Sequence, residues 1–187
     1  MPQKRVFIAI NLPESVKKQI DAELLVLREK LPQGTRFVAR EDWHITVSFL
    51  SQQSDESIGE IIGAMSSVMP RTAAPEIRFE DMVYGPEERS PRMVWIVASL
   101  KSSSLLGDIK HILEEELIQR KVRLGEGDRK FSGHITLARL NNFDTPPPPL
   151  ENKVNFSFIP ESLDLMESQP SHSGPRYHSL TAMDFQQ

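Results

Sequence analysis

The sequence predicts an α+β protein that contains an internal duplication. Runs typical of strands alternate with amphipathic helix patterns, and the chain ends in a series of strand patterns without a helix. The stretch His44-Ile45-Thr46-Val47 recurs as His134-Ile135-Thr136-Leu137, 90 positions later in a chain of 187 residues. Because the chain has only five histidines, two such stretches with matching apolar neighbours indicate one shared site.

The first half of the chain predicts strands and helices in alternation. Its strands are predicted from β-branched runs or from a period of two in apolar residues, and its helices from a spacing of three and four. Ser54 is a predicted helix cap, followed by the acidic pair Asp55-Glu56. In the first motif strand, Val47 and Phe49 are predicted to share the apolar face. The predicted elements are strands at 6–10, 43–50 and 77–84 and helices at 13–31 and 54–68.

The second half repeats the opening order and then continues with strands. Strand, helix and motif strand are predicted at 93–97, 103–120 and 133–140, followed by a proline-rich connection at 141–149 and three further strands. Phe7 precedes His44 by 37 residues, and Trp95 precedes His134 by 39. We therefore predict a single domain over 1–187, composed of approximate repeats 1–90 and 91–187.

Composition excludes several classes of function. With 39% hydrophobic and 26% charged residues, the chain has the composition of a globular protein. It has no cysteine, which excludes disulfides, cysteine-bound zinc and thiol nucleophiles and suits a cytoplasmic location. No stretch approaches the ~18 apolar residues of a membrane span. The net charge of −4 argues against a broad nucleic-acid coat and leaves room for a local basic cleft.

The two motifs supply the side chains for acid–base chemistry on a phosphodiester. Residues two apart on a strand face the same side about 6.6 Å apart, so His44 projects with Thr46 and His134 with Thr136. One histidine would accept a proton from the attacking oxygen while the other donates one to the leaving oxygen. The threonine hydroxyls would hold the nonbridging oxygens. The residues predict neither metal nor cofactor, and their symmetry leaves open which histidine is the acid.

Three segments carry a resemblance to a known family. They are Arg5-Val6-Phe7-Ile8-Ala9-Ile10, Trp43-His44-Ile45-Thr46-Val47-Ser48-Phe49-Leu50 and Gly133-His134-Ile135-Thr136-Leu137-Ala138-Arg139, supported by segments at 161–163 and 174–177. The chain resembles, essentially from end to end, the LigT-like RNA 2′,3′-cyclic phosphodiesterases of the two-histidine phosphoesterase superfamily.

The resemblance implies a bilobal fold with two antiparallel sheets that form a central groove, and with helices packed outside. It implies metal-independent hydrolysis of an RNA 2′,3′-cyclic phosphate end to a 2′-phosphate, with 2′-5′ RNA ligation in some members. By this analogy His44 is the proton donor to the leaving 3′ oxygen and His134 is the proton acceptor from water. Thr46 and Thr136 would bind the phosphate. We expect a cytoplasmic monomer that needs no cofactor.

Basic and aromatic residues near the motifs are candidate RNA contacts. Arg5, Arg129 and Arg139 could form part of a basic rim, and Phe7 could stack on a base. Strict alternation places Arg139 on the face opposite His134, and only a bulge would redirect it. Further basic candidates for the rim are Arg36, Arg40, Lys130 and Arg176.

The sequence departs from the family pattern at two places. Val47-Ser48 stands where many members carry leucine followed by a basic residue, so we expect one phosphate or backbone contact to be missing from the groove. An insertion-like stretch at 169–173 is expected to change the C-terminal loop.

Two other functions remain open from the residues alone. The first is a phosphodiesterase of small cyclic phosphates, such as ADP-ribose cyclic phosphate or cyclic nucleotides. The second is a non-catalytic module that holds RNA ends. The two intact motifs argue against the second, since binding alone does not need two titratable groups in opposed positions.

Overall fold

The α+β class is confirmed by the computed structural model of the chain. The model describes residues 3–86, 91–125, 131–140, 148–150, 153–171 and 174–186. Within these residues there are three α-helices and nine strands. The helices are α1 (Glu14–Lys30), α2 (Asp55–Val68) and α3 (Leu100–Gln119). The strands are β1 (Lys4–Asn11), β2 (Arg36–Phe37), β3 (His44–Gln53), β4 (Ile77–Gly85), β5 (Met93–Ala98), β6 (His134–Arg139), β7 (Lys153–Phe158), β8 (Ser162–Gln169) and β9 (Arg176–Asp184).

Serine caps determine where two of the helices begin. The Ser54 hydroxyl accepts a hydrogen bond from the backbone N–H of Ser57 at 3.2 Å, which confirms the predicted cap of α2. The Ser99 hydroxyl accepts from the backbone N–H of Ser102 at 3.1 Å, so α3 begins three residues earlier than predicted. Within the described residues, no helix combines the length and apolar character that a membrane crossing requires.

The described strands form one antiparallel sheet, where two sheets were predicted. The strand order is β7-β4-β5-β6-β3-β1-β8-β9, with β2 paired to β6. The two motif strands, β3 and β6, are neighbours at the centre of this order and pair through Ile45 and Ile135. The two halves of the sheet are therefore continuous, because the motif strands that were expected on separate sheets pair with each other.

The sheet has the same arrangement on both sides of this junction. Each motif strand is followed outward by the strand that opens its half of the chain, β1 beside β3 and β5 beside β6. Further out, each side of the sheet takes strands from the other half of the chain, since β4 pairs with β5 and β8 pairs with β1. The boundary between the predicted repeats 1–90 and 91–187 therefore does not divide the sheet, and the duplication itself stays a prediction.

One face of the sheet is covered by helices and the other is not. Val6, Ile8 and Ile10 of β1 join the main hydrophobic core, together with the buried apolar residues of all three helices. Phe7 and Ala9 point the opposite way, into a small separate cluster. This alternation along β1 makes the second face of the sheet available for a site.

Candidate active site

The four motif side chains lie on the face of the sheet that the helices leave uncovered. His44, Thr46, His134 and Thr136 line one cavity of about 750 Å³. Between each histidine and its threonine the isoleucine is fully buried on the opposite face, as the period of two predicts. The structure therefore brings together the four residues that the sequence singled out.

Backbone carbonyls fix the tautomer of both imidazoles. His44 Nδ1 lies 2.7 Å from the carbonyl oxygen of Asp42, and His134 Nδ1 lies 2.8 Å from that of Ser132. Since a carbonyl only accepts, each Nδ1 carries the hydrogen and Nε2 is the atom that can gain or lose a proton. His44 Nε2 is 3.1 Å from Thr46 Oγ1, so in the neutral ring this nitrogen accepts from the threonine hydroxyl.

Aromatic rings support the two imidazoles differently. The His44 ring packs against Phe7 at a centroid distance of 5.0 Å and meets Tyr177 edge to face at 4.8 Å. The His134 ring lies on Trp95, with centroids 4.2 Å apart and planes inclined by 33°. The two histidines thus share backbone geometry but not surroundings.

The protein around both imidazoles favours their neutral form. Burial lowers the pKa of His44 to about 4, the charges of His134 and Arg139 contribute to the shift, and the hydrogen bond to the Asp42 carbonyl opposes it. Burial also lowers the pKa of His134, against the effect of the Ser132 carbonyl. A proton on either ring is therefore disfavoured unless an anion enters the groove.

A β-bulge follows each motif threonine. In β3 the register against β1 shifts between the pairs Ile8–Ser48 and Ala9–Thr46. In β6 the register against β5 shifts at the equivalent place, between residues 136 and 138. Each bulge adds a residue to the motif strand, so the alternation of faces changes beyond it.

The bulges return the fifth residue after each histidine to the groove face. Phe49 is 60% exposed and lines the cavity, so the prediction that it packs on the apolar face with Val47 is wrong. Arg139 is half-buried and is not among the described residues that line the cavity, but its charge contributes to the low pKa of His44. The bulge thus redirects Arg139 from the face that strict alternation assigned to it.

Ser48 faces the helices and not the groove. It is buried, and its hydroxyl donates to Glu114 Oε1 of α3 at 2.6 Å, while Lys110 binds the other carboxylate oxygen at 2.5 Å. Residue 48 of this chain therefore supplies no contact in the groove, because the bulge turns it towards α3.

The remaining predicted RNA contacts have different positions. Arg5 lines the cavity. Phe7 also borders it but is only 4% exposed, too little for a base to stack on its face. Arg129, like Lys130, lies outside the described residues. Of the further rim candidates, Arg40 is bound to Glu14 and Asp21.

Arg176 contributes to the site by holding strand β9 against the turn that precedes His44. Its Nη1 lies 2.8 Å from Glu41 Oε1 and 3.4 Å from Asp42 Oδ2. Asp42 Oδ1 accepts from the backbone N–H of Tyr177 at 3.3 Å, and burial raises the pKa of this carboxyl. These contacts place the Tyr177 ring beside His44.

Sequence reasoning missed the supporting roles of Tyr177, Trp95 and Phe49. Tyr177 lies in a C-terminal segment noted only for its resemblance, and no local pattern places it near His44. Trp95 carried a usable signal, since it occupies the strand that precedes the second motif in the predicted order. No sequence signal indicated the role of Phe49, because the direction of its side chain depends on the bulge in β3.

The class of site follows from this geometry. Two imidazoles that can transfer protons through Nε2, beside two threonine hydroxyls in one groove, make this a candidate two-histidine phosphoesterase site. Within the described part of the chain, no three His, Asp or Glu side chains are grouped to hold a metal ion.

Comparison with known proteins agrees with this class. The family model described as LigT-like phosphoesterase matches residues 13–95. RNA 2′,3′-cyclic phosphodiesterase of Thermotoga maritima is 26% identical, over 97% of this chain and 96% of the relative. The protein of the same name from Methanocaldococcus jannaschii is 28% identical, over 94% and 98%.

Solved structures show the same fold. A crystal structure of a Thermus thermophilus protein is 26% identical with a TM-score of 0.78, covering 97% of both chains. The Escherichia coli LigT structure complexed with 3′-AMP is 24% identical with a TM-score of 0.79 and full coverage of both chains. In sequence and in fold, the chain is therefore similar to the LigT-like phosphoesterases.

The low pKa of His44 predicts a loss of stability in acid. Since the folded protein holds this pKa at about 4, against an ordinary value of 6.5, the unfolded chain binds more protons between these values. Acidification from pH 7 to pH 5 should lower the free energy of unfolding by about 2 kcal/mol through this residue alone. Urea unfolding of the wild type and of His44→Gln at both pH values measures it. The drop should be smaller in the variant by that amount, and equal drops would contradict the pKa shift.

Proposed function

We propose that the chain hydrolyses the 2′,3′-cyclic phosphate at the end of an RNA to a 2′-phosphate, by paired histidine catalysis and without a metal. The observation that carries the proposal is the pair of imidazoles in one groove, each with Nδ1 bound to a carbonyl and each beside a threonine. The relatives named RNA 2′,3′-cyclic phosphodiesterase, aligned over nearly the whole chain, support this choice of substrate.

In the proposed reaction the two imidazoles move one proton each. His134 Nε2 accepts a proton from water as the water oxygen bonds to phosphorus. The bond from phosphorus to the 3′ oxygen breaks, and protonated His44 donates its Nε2 hydrogen to that oxygen. The product carries a 2′-phosphate and a free 3′ hydroxyl. Afterwards His134 is protonated and His44 neutral, and exchange with solvent restores the starting state.

The negative charge of the substrate raises the pKa of His44 and so allows it to hold the proton that it donates. In the free protein its pKa of about 4 leaves it neutral at pH 7. A bound phosphate anion favours the protonated form of a nearby imidazole and raises its pKa. Thr46 and Thr136 would hold the nonbridging oxygens, which places the anion between the histidines. Binding and protonation of His44 are therefore coupled in this proposal.

Three side chains are proposed to contact the rest of the RNA end. Arg139 lies on the groove face near His44, where its guanidinium suits a phosphate oxygen. Phe49, with its exposed ring, replaces Phe7 as the residue on which a base would stack. Arg5 lines the same cavity along β1 and would contact a preceding phosphate. The same end-holding groove suits the 2′-5′ ligation suggested by the resemblance, as the reverse of 2′-5′ bond cleavage.

A direct assay tests the proposal. An oligonucleotide with a 2′,3′-cyclic phosphate end, incubated with the protein in EDTA, should yield a 2′-phosphate that mass spectrometry and phosphatase treatment identify. His44→Ala and His134→Ala should each lower kcat by about 10²-fold or more, because each removes one proton transfer. His111→Ala is the matched control, since His111 lies exposed on α3 and pairs with Glu115. Loss of turnover in EDTA, a 3′-phosphate product or wild-type turnover in either catalytic variant would contradict the mechanism.

The pH dependence follows from the direction of both pKa shifts. Activity needs one imidazole protonated and the other neutral, so kcat/KM should follow a bell with its maximum between the pKa values of the free protein. Both values lie below 6.5, hence the maximum of kcat/KM should also lie below pH 6.5. The maximum of kcat should lie at higher pH, because bound phosphate raises both pKa values. Rates at low pH require a parallel check that the protein stays folded, and a kcat/KM maximum above pH 7 would contradict the shifts.

A phosphodiesterase of small cyclic phosphates is the second candidate. Crystal structures of Escherichia coli LigT complexed with ATP and with NADP+, both 25% identical to this chain, favour a groove that accepts nucleotides without a longer RNA. A groove that binds RNA through Arg5 should instead prefer a trinucleotide cyclic phosphate over a mononucleotide 2′,3′-cyclic phosphate in kcat/KM by about 10-fold. Arg5→Gln should reduce that preference with little effect on the mononucleotide. Equal values for both substrates would favour the second candidate, and tight binding without turnover would favour an RNA-end-holding module.

A further inference from the structure

We propose that Trp95 is a positioning residue that holds the His134 imidazole in the orientation required for proton transfer. The proposal rests on the proposed function, in which His134 Nε2 takes a proton from water. His134 is among the described residues that line the cavity and Trp95 is not, so the tryptophan would act through the imidazole and not on the phosphate.

The contact between the two rings is close, and the rings are tilted relative to each other. Their centroids are 4.2 Å apart and their planes are inclined by 33°. Trp95 pairs with Thr136 in the register of β5 and β6, so its side chain projects from the face that carries the motif. The hydrogen bond from Nδ1 to the Ser132 carbonyl anchors one edge of the imidazole, and the indole limits how far the ring can tilt about that anchor.

Gly85 provides the space that the indole occupies. It lies on β4 and pairs with Met93, two residues before Trp95 along β5. A Cβ built on Gly85 would overlap the six-membered ring of Trp95. Any larger residue at position 85 must therefore displace the indole, and with it the support of His134.

Hydrogen bonding does not explain the tryptophan at this position. The indole Nε1 is buried and has no acceptor within the described residues. A buried N–H that lacks an acceptor is destabilising, which disfavours tryptophan relative to phenylalanine unless the ring itself has a role. The face of the indole against His134 is the contact that the structure offers for that role.

The indole is specific to His134, whereas His44 packs on the smaller ring of Phe7 at the longer centroid distance of 5.0 Å. The residue that pairs with Thr46, in the position equivalent to Trp95, is Ala9. His44 instead contacts Phe7 and Tyr177, which come from the neighbouring parts of β1 and β9. Trp95 thus distinguishes two histidines whose backbone environments are alike.

Kinetics of three variants test the role. Trp95→Leu removes the flat ring and should lower kcat on the cyclic-phosphate oligonucleotide about 10–100-fold, with KM within about two-fold, because only the reacting geometry changes. Trp95→Phe keeps a flat ring and loses an N–H that has no acceptor among the described residues, so kcat should stay within about three-fold of wild type. Gly85→Ala should lower kcat like Trp95→Leu, yet add little in the Trp95→Leu background, because it acts through the indole.

Nuclear magnetic resonance tests the contact without relying on turnover. The Cδ2 and Cε1 protons of His134, assigned by their loss in His134→Gln, should be displaced upfield by the indole ring current. The displacement should disappear in Trp95→Leu and remain in part in Trp95→Phe. Urea unfolding of each variant establishes that the spectra and rates come from folded protein.

The outcomes separate this proposal from the proposed function. Wild-type protein without turnover would overturn the proposed function and the role together, while the spectra would still decide whether the rings touch. Normal turnover by the wild type with an unchanged kcat in Trp95→Leu would overturn the positioning role alone. An equal loss from Gly85→Ala with and without the indole would do the same.

Discussion

The pairing of Ile45 with Ile135 is the constraint on which the site depends. This pair joins β3 to β6 and is fully buried on the helix-covered face of the sheet. Because neighbouring residues of a strand face opposite sides, burying both isoleucines directs the histidine and threonine that flank each one into the groove. One apolar contact at the centre of the sheet thereby orients four polar side chains.

The two halves share this backbone arrangement and differ in what surrounds it. Each imidazole binds the carbonyl two residues earlier, so the tautomer is set by local geometry that the repeated sequence brings with it. The side chains from neighbouring strands are not repeated, since Ala9 stands opposite Thr46 and Trp95 opposite Thr136. The different roles proposed for the two histidines would therefore have their physical basis in these neighbours and not in the motif.

The parts of the site that were predictable from sequence are those with a local cause. A period of two placed the histidines and threonines on one face, and Ser54 capped its helix through a contact three residues away. The direction of Phe49 and Arg139 was not predictable, since each depends on how its bulged strand pairs with a neighbour. The pairing of β3 with β6 and of β8 with β1 was likewise not predictable, since each joins segments that are distant in sequence. The similar spacing of Phe7 and Trp95 from their motifs suggests that these two residues are equivalent. The strand register instead makes Trp95 equivalent to Ala9, since each pairs with the threonine of its motif.

The preference of both imidazoles for the neutral form determines how the groove selects its ligand. Desolvation lowers both histidine pKa values, and the charges of Arg139 and His134 add to the effect at His44. Arg139 therefore has opposite effects before and after a phosphate binds: alone it opposes a proton on His44, whereas an anion bound beside it offsets its charge. A neutral ligand gives no such compensation and leaves His44 unprotonated. In the proposed mechanism, His44 therefore becomes protonated in quantity only when an anion occupies the groove, so the negative charge of the substrate also favours the protonated form of the acid.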